Sequence, residues 1–440
     1  MLDARAITKI QSIILIVVIV VAGVAGGVAY VFLMDDNQSE DTIKIGFCGD
    51  LDMFVGEGSW KAALLAAEHI NAEGGILGKK IEIIAEDSDY ETSEDMNVAS
   101  QAFTRLITLH KVDFIISADG SLSPMTYQEI SSQHKIIYFS ITGNLDTYTQ
   151  KVLDDYDNYK YYFRPFPNNT TSYVISMADS LDALREYSGF NKIGFLPVDS
   201  TSMKGLTEAL KNILEQNYAF EVSYIDYYPP DTIDFASFYS AAEAAGVEIL
   251  VPLTIWMDGI PLAKEWYDRQ SPMITWGLNG IVSTYEGWEA VEGKCEDMSL
   301  NGPTVTAGYP LTSQTLPLRD SYLDKYGDVP HGAASATYDT IRFILSDAIK
   351  RAGSIDTDLV IEALEETEVV TSMAKNFVFT PSHDVMFGEN PNNPDDDYLL
   401  LLMFQWQDGE MVPVYPKSIM EEAGASYTFP DWSGPWDNIN

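Results

Sequence analysis

Cysteine, histidine and positive charge are the scarce ingredients of this chain. Two cysteines, Cys48 and Cys295, occur in 440 residues, too few for a disulfide framework or a four-cysteine zinc site. A single bridge between them stays open. The five histidines, His69, His110, His134, His331 and His383, form no HExxH and no i,i+4 pair, so neither a metal nor a cofactor is expected. Lysine and arginine number 26 against 66 acidic residues, for a net charge of −40. Such a surface repels phosphate backbones and lacks the basic patch that docks on anionic lipid, which excludes nucleic acid as a partner. The acid excess suits solubility and a saline habitat. Catalytic signatures are missing as well. Gly56-Glu57-Gly58 lacks the third glycine of a dinucleotide fingerprint, and neither a P-loop nor GxSxG occurs. Glu86, Asp87 and Asp89 crowd one strand end, either as an acid–base pair or as a solvated loop. Asp395–Asp397 lack the ligand spacing of a calcium loop. An enzyme is not expected.

What the chain does have begins at its N-terminus. Twenty-five uncharged residues separate Lys9 from Asp35, and Ile13–Met34 is an apolar block of 22 residues. At 1.5 Å per residue that block spans about 33 Å, enough for a bilayer core of about 30 Å. Arg5 and Lys9 precede it and Asp35, Asp36, Glu40 and Asp41 follow it, so the positive-inside rule puts the body outside the cytoplasm. The expected reading is a membrane anchor over residues 1–34; the alternative is a signal peptide cleaved after Ala29, leaving a secreted protein. Residues 35–42 form a polar tether.

With 46% hydrophobic residues, the remainder can bury the cores of two or three domains. From Ile43 strands and helices alternate. Strands are expected at Ile43–Phe47, Lys80–Ala85, Asp113–Ser117 and Ile136–Ser140, with helices around Trp60–Ile70, Met96–Ile107 and Pro124–His134 between them. A Tyr-, Asp- and Asn-rich loop, Asp154–Asn169, interrupts the rhythm and carries glycosylation sequons at Asn168 and Asn169; Asn37 begins another. The alternation then restarts, with strands at Lys192–Pro197, Glu221–Tyr227, Ile249–Leu253 and Met273–Trp276. The spacing predicts helices over Ala333–Ala352 and Leu359–Glu366, then strands at Phe377–Thr380, Leu399–Trp406 and Met411–Tyr415. Asp408-Gly409 between the last two is a hairpin signal. The aromatic tail from Lys417 is expected to pack back on one lobe. Two α/β units of similar order follow one another, each a doubly wound sheet.

Open α/β sheets bind ligands beyond the carboxyl ends of their strands. There the first unit carries Gly49-Asp50-Leu51-Asp52, Asp119-Gly120-Ser121-Leu122-Ser123 and Thr142-Gly143-Asn144. Their hydroxyls and N–H groups suit a carboxylate or amide; the plainer role for Ser121 or Ser123 is to cap the helix that Pro124 opens.

IKIGFCGDLDMFVGEGSWKAALLAAEHINAEGGILGKKIEIIAEDSD (residues 43–89), Asp119-Gly120-Ser121, SATYDTIRFILSDAI (335–349) and FQWQDGEMVPVYP (404–416) resemble the extracellular solute-binding proteins of the branched-chain amino acid (Leu/Ile/Val-binding) class of ABC transporters. The resemblance implies a type 1 periplasmic binding fold: two lobes joined by hinge strands, with the ligand engulfed between them. It implies lobe 1 from residues 43–163 plus about 304–376, lobe 2 from 164–303 plus about 377–416, and a C-terminal tail over 417–440. It places Ser121 and Thr142 on the ligand carboxylate, with Asn144 beside them. Val55, Met203, Ile255 and Trp256 fall on the lining. Asn279 stands where amino-acid binders often carry an acid for the ligand ammonium. The function implied is capture of a small polar ligand (amino acid, amide or short carboxylate) and delivery to an ABC permease. The alternative is a ligand sensor that acts through a partner protein.

Overall fold

The computed structural model describes residues 42–439 apart from 94, 121, 167–168, 255–257, 278–279, 303 and 390–396. The anchor, most of the tether and the Asn37 and Asn168 sequons lie outside the described residues. Among the described residues no helix is long and apolar enough to cross a membrane.

The first sheet is parallel and contains β1 (Thr42–Gly49), β2 (Lys80–Asp87), β3 (Phe114–Ser117), β4 (Ile137–Ser140) and β5 (Tyr162–Phe163), in the order β2-β1-β3-β4-β5. The second contains β6 (Lys192–Pro197), β7 (Glu221–Ile225), β8 (Ile249–Leu253), β9 (Ile274–Gly277) and β10 (Ser299–Asn301). Its order, β7-β6-β8-β9-β10, repeats that of the first sheet. A two-residue pair, β11 (Glu368–Val369) and β12 (Phe377–Val378), stands apart from both sheets. The antiparallel hairpin β13 (Met403–Gln407) and β14 (Glu410–Tyr415) then extends the second sheet beyond β10.

Side chains on successive strand residues point to opposite faces, and in both sheets each face is covered by helices, as a parallel sheet requires. Ile43, Ile45 and Phe47 of β1 join one core with helices Phe54–Ala72 and Gly332–Ala352, whereas Cys48, Ile115 and Tyr138 join another with helix Met96–Thr108. Likewise Phe195 and Val251 face one second-lobe core while Leu196 and Leu250 face the other. Cys48 and Cys295 are both buried and free. They sit in different cores, one in each lobe, so the bridge left open by the sequence does not form.

The expected Asp408-Gly409 hairpin is present, with φ of 53° and 79° at its two turn residues. These positive values are what a two-residue turn needs to match strand twist. The long C-terminal helix is continuous over Gly332–Ala352, with a π-helical stretch at Thr340–Leu345. The tail packs on the second lobe: Tyr427 and Trp436 enter its core, and Trp432 meets Trp266 at 5.0 Å and donates to the Ser271 carbonyl.

Three features differ from the sequence reading. Part of the Asp154–Asn169 loop is structured, holding helix Tyr156–Tyr159 and strand β5, and helix Asp146–Asp154 precedes it. Both strands of the β11–β12 pair are only two residues long, too short for a period-2 pattern to register. Finally, Phe377, Phe379, Val385 and Leu399 all belong to the first core, and β13 starts at Met403, later than the Leu399 start expected for that strand.

Candidate functional site

In a sheet ordered β2-β1-β3, the chain turns in opposite directions from β1 and β3, and the crevice at their carboxyl ends is where such folds bind ligands. Four loops meet there in the first lobe. After β1, Asp50 is buried and its carboxylate accepts from the Thr92 N–H at 2.9 Å. The backbone around Asp50 lies so close to Gly56 that a Cβ there would fall 2.0 Å from the Asp50 carbonyl oxygen. After β2, the Tyr90 ring covers the next loop: a Cβ on Gly120 would come within 2.5 Å of it. After β4, Thr142 donates its hydroxyl hydrogen to the Asp119 carbonyl, joining the β3 and β4 loops.

Asp119, directly after β3, organises this corner. Its carboxylate is fully buried and accepts from the Ser123 hydroxyl at 2.5 Å and the Tyr127 hydroxyl at 2.7 Å. Burial pushes its pKa up to about 7, against the pull of those two donors. Tyr127 is held in turn by a stacked contact with Phe103 at 4.4 Å, and Cys48 Sγ lies 3.5 Å from its oxygen. Burial raises the Cys48 thiol well above its ordinary pKa. Ser123 therefore positions the Asp119 carboxylate and does not cap the helix it starts.

The sequence candidates are placed as follows. Thr142 and Asn144 share the β4 loop, both half-buried. The Asn144 carbonyl accepts from the N–H and hydroxyl of Thr170, at 2.9 and 2.8 Å, so this loop is bonded to the segment that leaves the lobe. Val55 sits half-buried in the first turn of helix Phe54–Ala72, against the first core. Met203 lies in the second lobe, in the first turn of helix Thr201–Asn217 after β6, and packs against both cores there. Ser121, Ile255, Trp256 and Asn279 lie outside the described residues.

Glu86 turns out to be an ion-pair partner: it takes Arg105 at 2.9 and 2.7 Å and His110 at 2.7 Å. Asp87 receives the N–H groups of Leu51 and Asp89. These carboxylates build the loop.

Two further groups had no signal in the sequence reading. Tyr90 follows a run of acids, and nothing local marks it as a cover for Gly120. Arg164 and Asp384 form a fully paired buried ion pair although 220 positions separate them. Only topology brings them together. The Asn169 sequon belongs to this cluster: its amide nitrogen donates to Asp384 at 2.7 Å and its oxygen caps helix Thr170–Ser188. The glycan-accepting atom is thus engaged inside the fold.

Comparison with known proteins agrees with this architecture. Residues 42–388 match a family described as periplasmic binding protein. A Leu/Ile/Val-binding protein homolog 7 of Brucella abortus is 24% identical over 392 residues, covering 85% of this chain and 91% of its own length. The fold is shared with a Streptococcus pneumoniae branched-chain amino acid transporter substrate-binding protein solved with isoleucine; the TM-score is 0.65 at 18% identity, over 84% of this chain and 99% of that one. It is shared too with an R. palustris solute-binding protein solved with benzoate, with TM-score 0.63 and 13% identity over 84% and 95%. By family and by fold, the chain belongs to the periplasmic binding proteins.

Proposed function

We propose that the chain is an extracellular receptor that captures a small polar ligand between its lobes and hands it to an ABC permease. The ligand class is an amino acid, amide or short carboxylate. The observation that carries this reading is the repeated strand order of the two sheets. It gives each half of the chain a ligand-binding strand edge of the same kind, in a family of binding proteins. Relatives of this fold hold isoleucine and benzoate, both carrying a carboxylate.

Ser121, Thr142 and Asn144 seat the carboxylate in the first lobe, the Thr142 hydroxyl exchanging its Asp119 carbonyl acceptor for the ligand. Val55, Met203, Ile255 and Trp256 line the apolar part. Asn279 reads the far end from the second lobe. An amide can satisfy an amide or hydroxyl but cannot neutralise an ammonium, so neutral ligands compete with leucine here. Residues 1–34 keep the protein on the outer face of the membrane, and N-terminal sequencing of material from native membranes tests this: a start near Tyr30 refutes the anchor.

A thermal-shift screen against amino acids, their amides, urea and short carboxylates tests the receptor reading. A ligand at 100 times its Kd stabilises the bound form by about 2.7 kcal/mol. No shift with any member of the panel refutes it.

A further inference from the structure

The guanidinium of Arg164 is fully buried, and each of its five N–H donors has a partner. Nε and Nη2 form a fork on Asp384, at 2.7 and 2.6 Å. Nη2 also reaches the Thr149 hydroxyl at 3.1 Å. Nη1 donates to two carbonyls of the β4 loop, Gly143 at 3.1 Å and Leu145 at 2.9 Å. The carbonyl between them, Asn144, is taken by Thr170. Three consecutive carbonyls of the loop that holds Thr142 and Asn144 are therefore drawn onto the segment that joins the two lobes.

In a trans peptide the N–H points opposite its C=O. The Gly143 and Leu145 carbonyls both point at Arg164 Nη1, which turns the N–H groups of Asn144 and Asp146 away from it. Backbone N–H groups turned to one side of a loop in this way attract anions. Backbone bonds anchor the same place: the Arg164 N–H donates to the His383 carbonyl at 2.9 Å, and the Arg164 carbonyl accepts from Val385 at 2.9 Å.

We infer that Arg164 and Asp384 are the positioning pair of the ligand seat, orienting the Gly143–Asp146 peptides toward a carboxylate while tying that loop to two segments near the lobe junction. This inference rests on the receptor reading proposed above. Neither side chain touches the ligand. The five-donor fork is what the arrangement requires, because a lysine in its place has three donors on one nitrogen for these five acceptors.

A single neutral substitution would strand a buried charge and could unfold the chain. The test therefore uses Arg164→Met with Asp384→Leu together, and separately Arg164→Lys. The probes are leucine and benzoate, with leucinamide and benzamide as their uncharged-end counterparts. With circular dichroism and melting temperature near wild type, the double variant is expected to weaken carboxylate binding at least tenfold and amide binding less than threefold. Without any ligand, hydrogen exchange over residues 142–149 is expected to quicken in both variants. Equal weakening of both probe classes, unchanged affinity, or unchanged exchange would overturn the inference. A wild-type chain that binds none of the four probes would overturn the inference, and one that also binds no member of the thermal-shift panel would overturn the receptor reading with it.

Discussion

Tyr127→Phe removes one oxygen atom from the buried corner below the first-lobe loops, and its cost should depend on pH. The ring keeps its place, stacked 4.4 Å from Phe103, so packing changes little. What is lost is the donor to Asp119 at 2.7 Å and the acceptor facing Cys48 Sγ at 3.5 Å, the second at both pH values alike. Burial raises the Asp119 carboxyl from 3.8 to about 7. In the folded chain it is therefore protonated at pH 5 and ionised at pH 8.5. Because the folded pKa lies above the unfolded one, the unfolded chain gives up this proton first. The Asp119 contribution to stability therefore falls as pH rises from about 4 to about 7. The Tyr127 hydroxyl favours the ionised form, so removing it pushes the folded pKa higher and deepens that fall. A hydrogen bond to a neutral partner is worth about 0.5–1.5 kcal/mol and one to a charged partner about 1.5–3 kcal/mol. The variant should thus cost about 1 kcal/mol at pH 5 and about 2 kcal/mol at pH 8.5. Urea unfolding of wild type and variant at the two pH values, followed by circular dichroism, measures the difference. Equal costs, or a larger cost at pH 5, would refute the assignment of Tyr127 as the donor that holds an ionised Asp119.

Three other outcomes follow from the same structure. Gly409→Ala places a Cβ at φ 79°, a left-handed conformation that costs an L-residue about 1–2 kcal/mol, so the urea midpoint should fall; an unchanged midpoint would mean that this turn position does not need glycine. With a net charge of −40, raising ionic strength from 0.1 to 1 M shortens the screening length from about 10 to about 3 Å and should raise the melting temperature, whereas a flat or falling response would show that self-repulsion is negligible. Small-angle scattering should give a smaller radius of gyration once a ligand from the thermal-shift screen is added, and an unchanged radius counts against closure of the lobes.

Much of the architecture was readable because each long strand declares itself locally. Ile43, Ile45 and Phe47 form an apolar run bounded by turn residues, and Asp408-Gly409 announces its turn through the one backbone geometry that suits it. The doubled α/β order was visible for the same reason. Strands of two residues, such as Tyr162–Phe163 and Phe377–Val378, carry no period and were lost or overextended. The site was half legible. Thr142 and Asn144 do share one loop after a strand end, the edge at which open α/β sheets bind ligands. What sequence could not supply was the wiring behind it. Thr142 donates to Asp119, Tyr90 covers Gly120, and Arg164 meets Asp384 across 220 positions. These contacts are made by tertiary closure and leave no local pattern.

Calorimetric titration of the protein with leucine, isoleucine, benzoate, an aliphatic amide and urea tests the central claim most directly. A single site per chain for at least one of these, with the negative heat-capacity change of apolar burial and weakened by Ser121→Ala, is the predicted result. Saturable heat from none of them, or affinity undiminished in a folded Ser121→Ala variant, would contradict a receptor that seats its ligand at the carboxyl ends of the first-lobe strands.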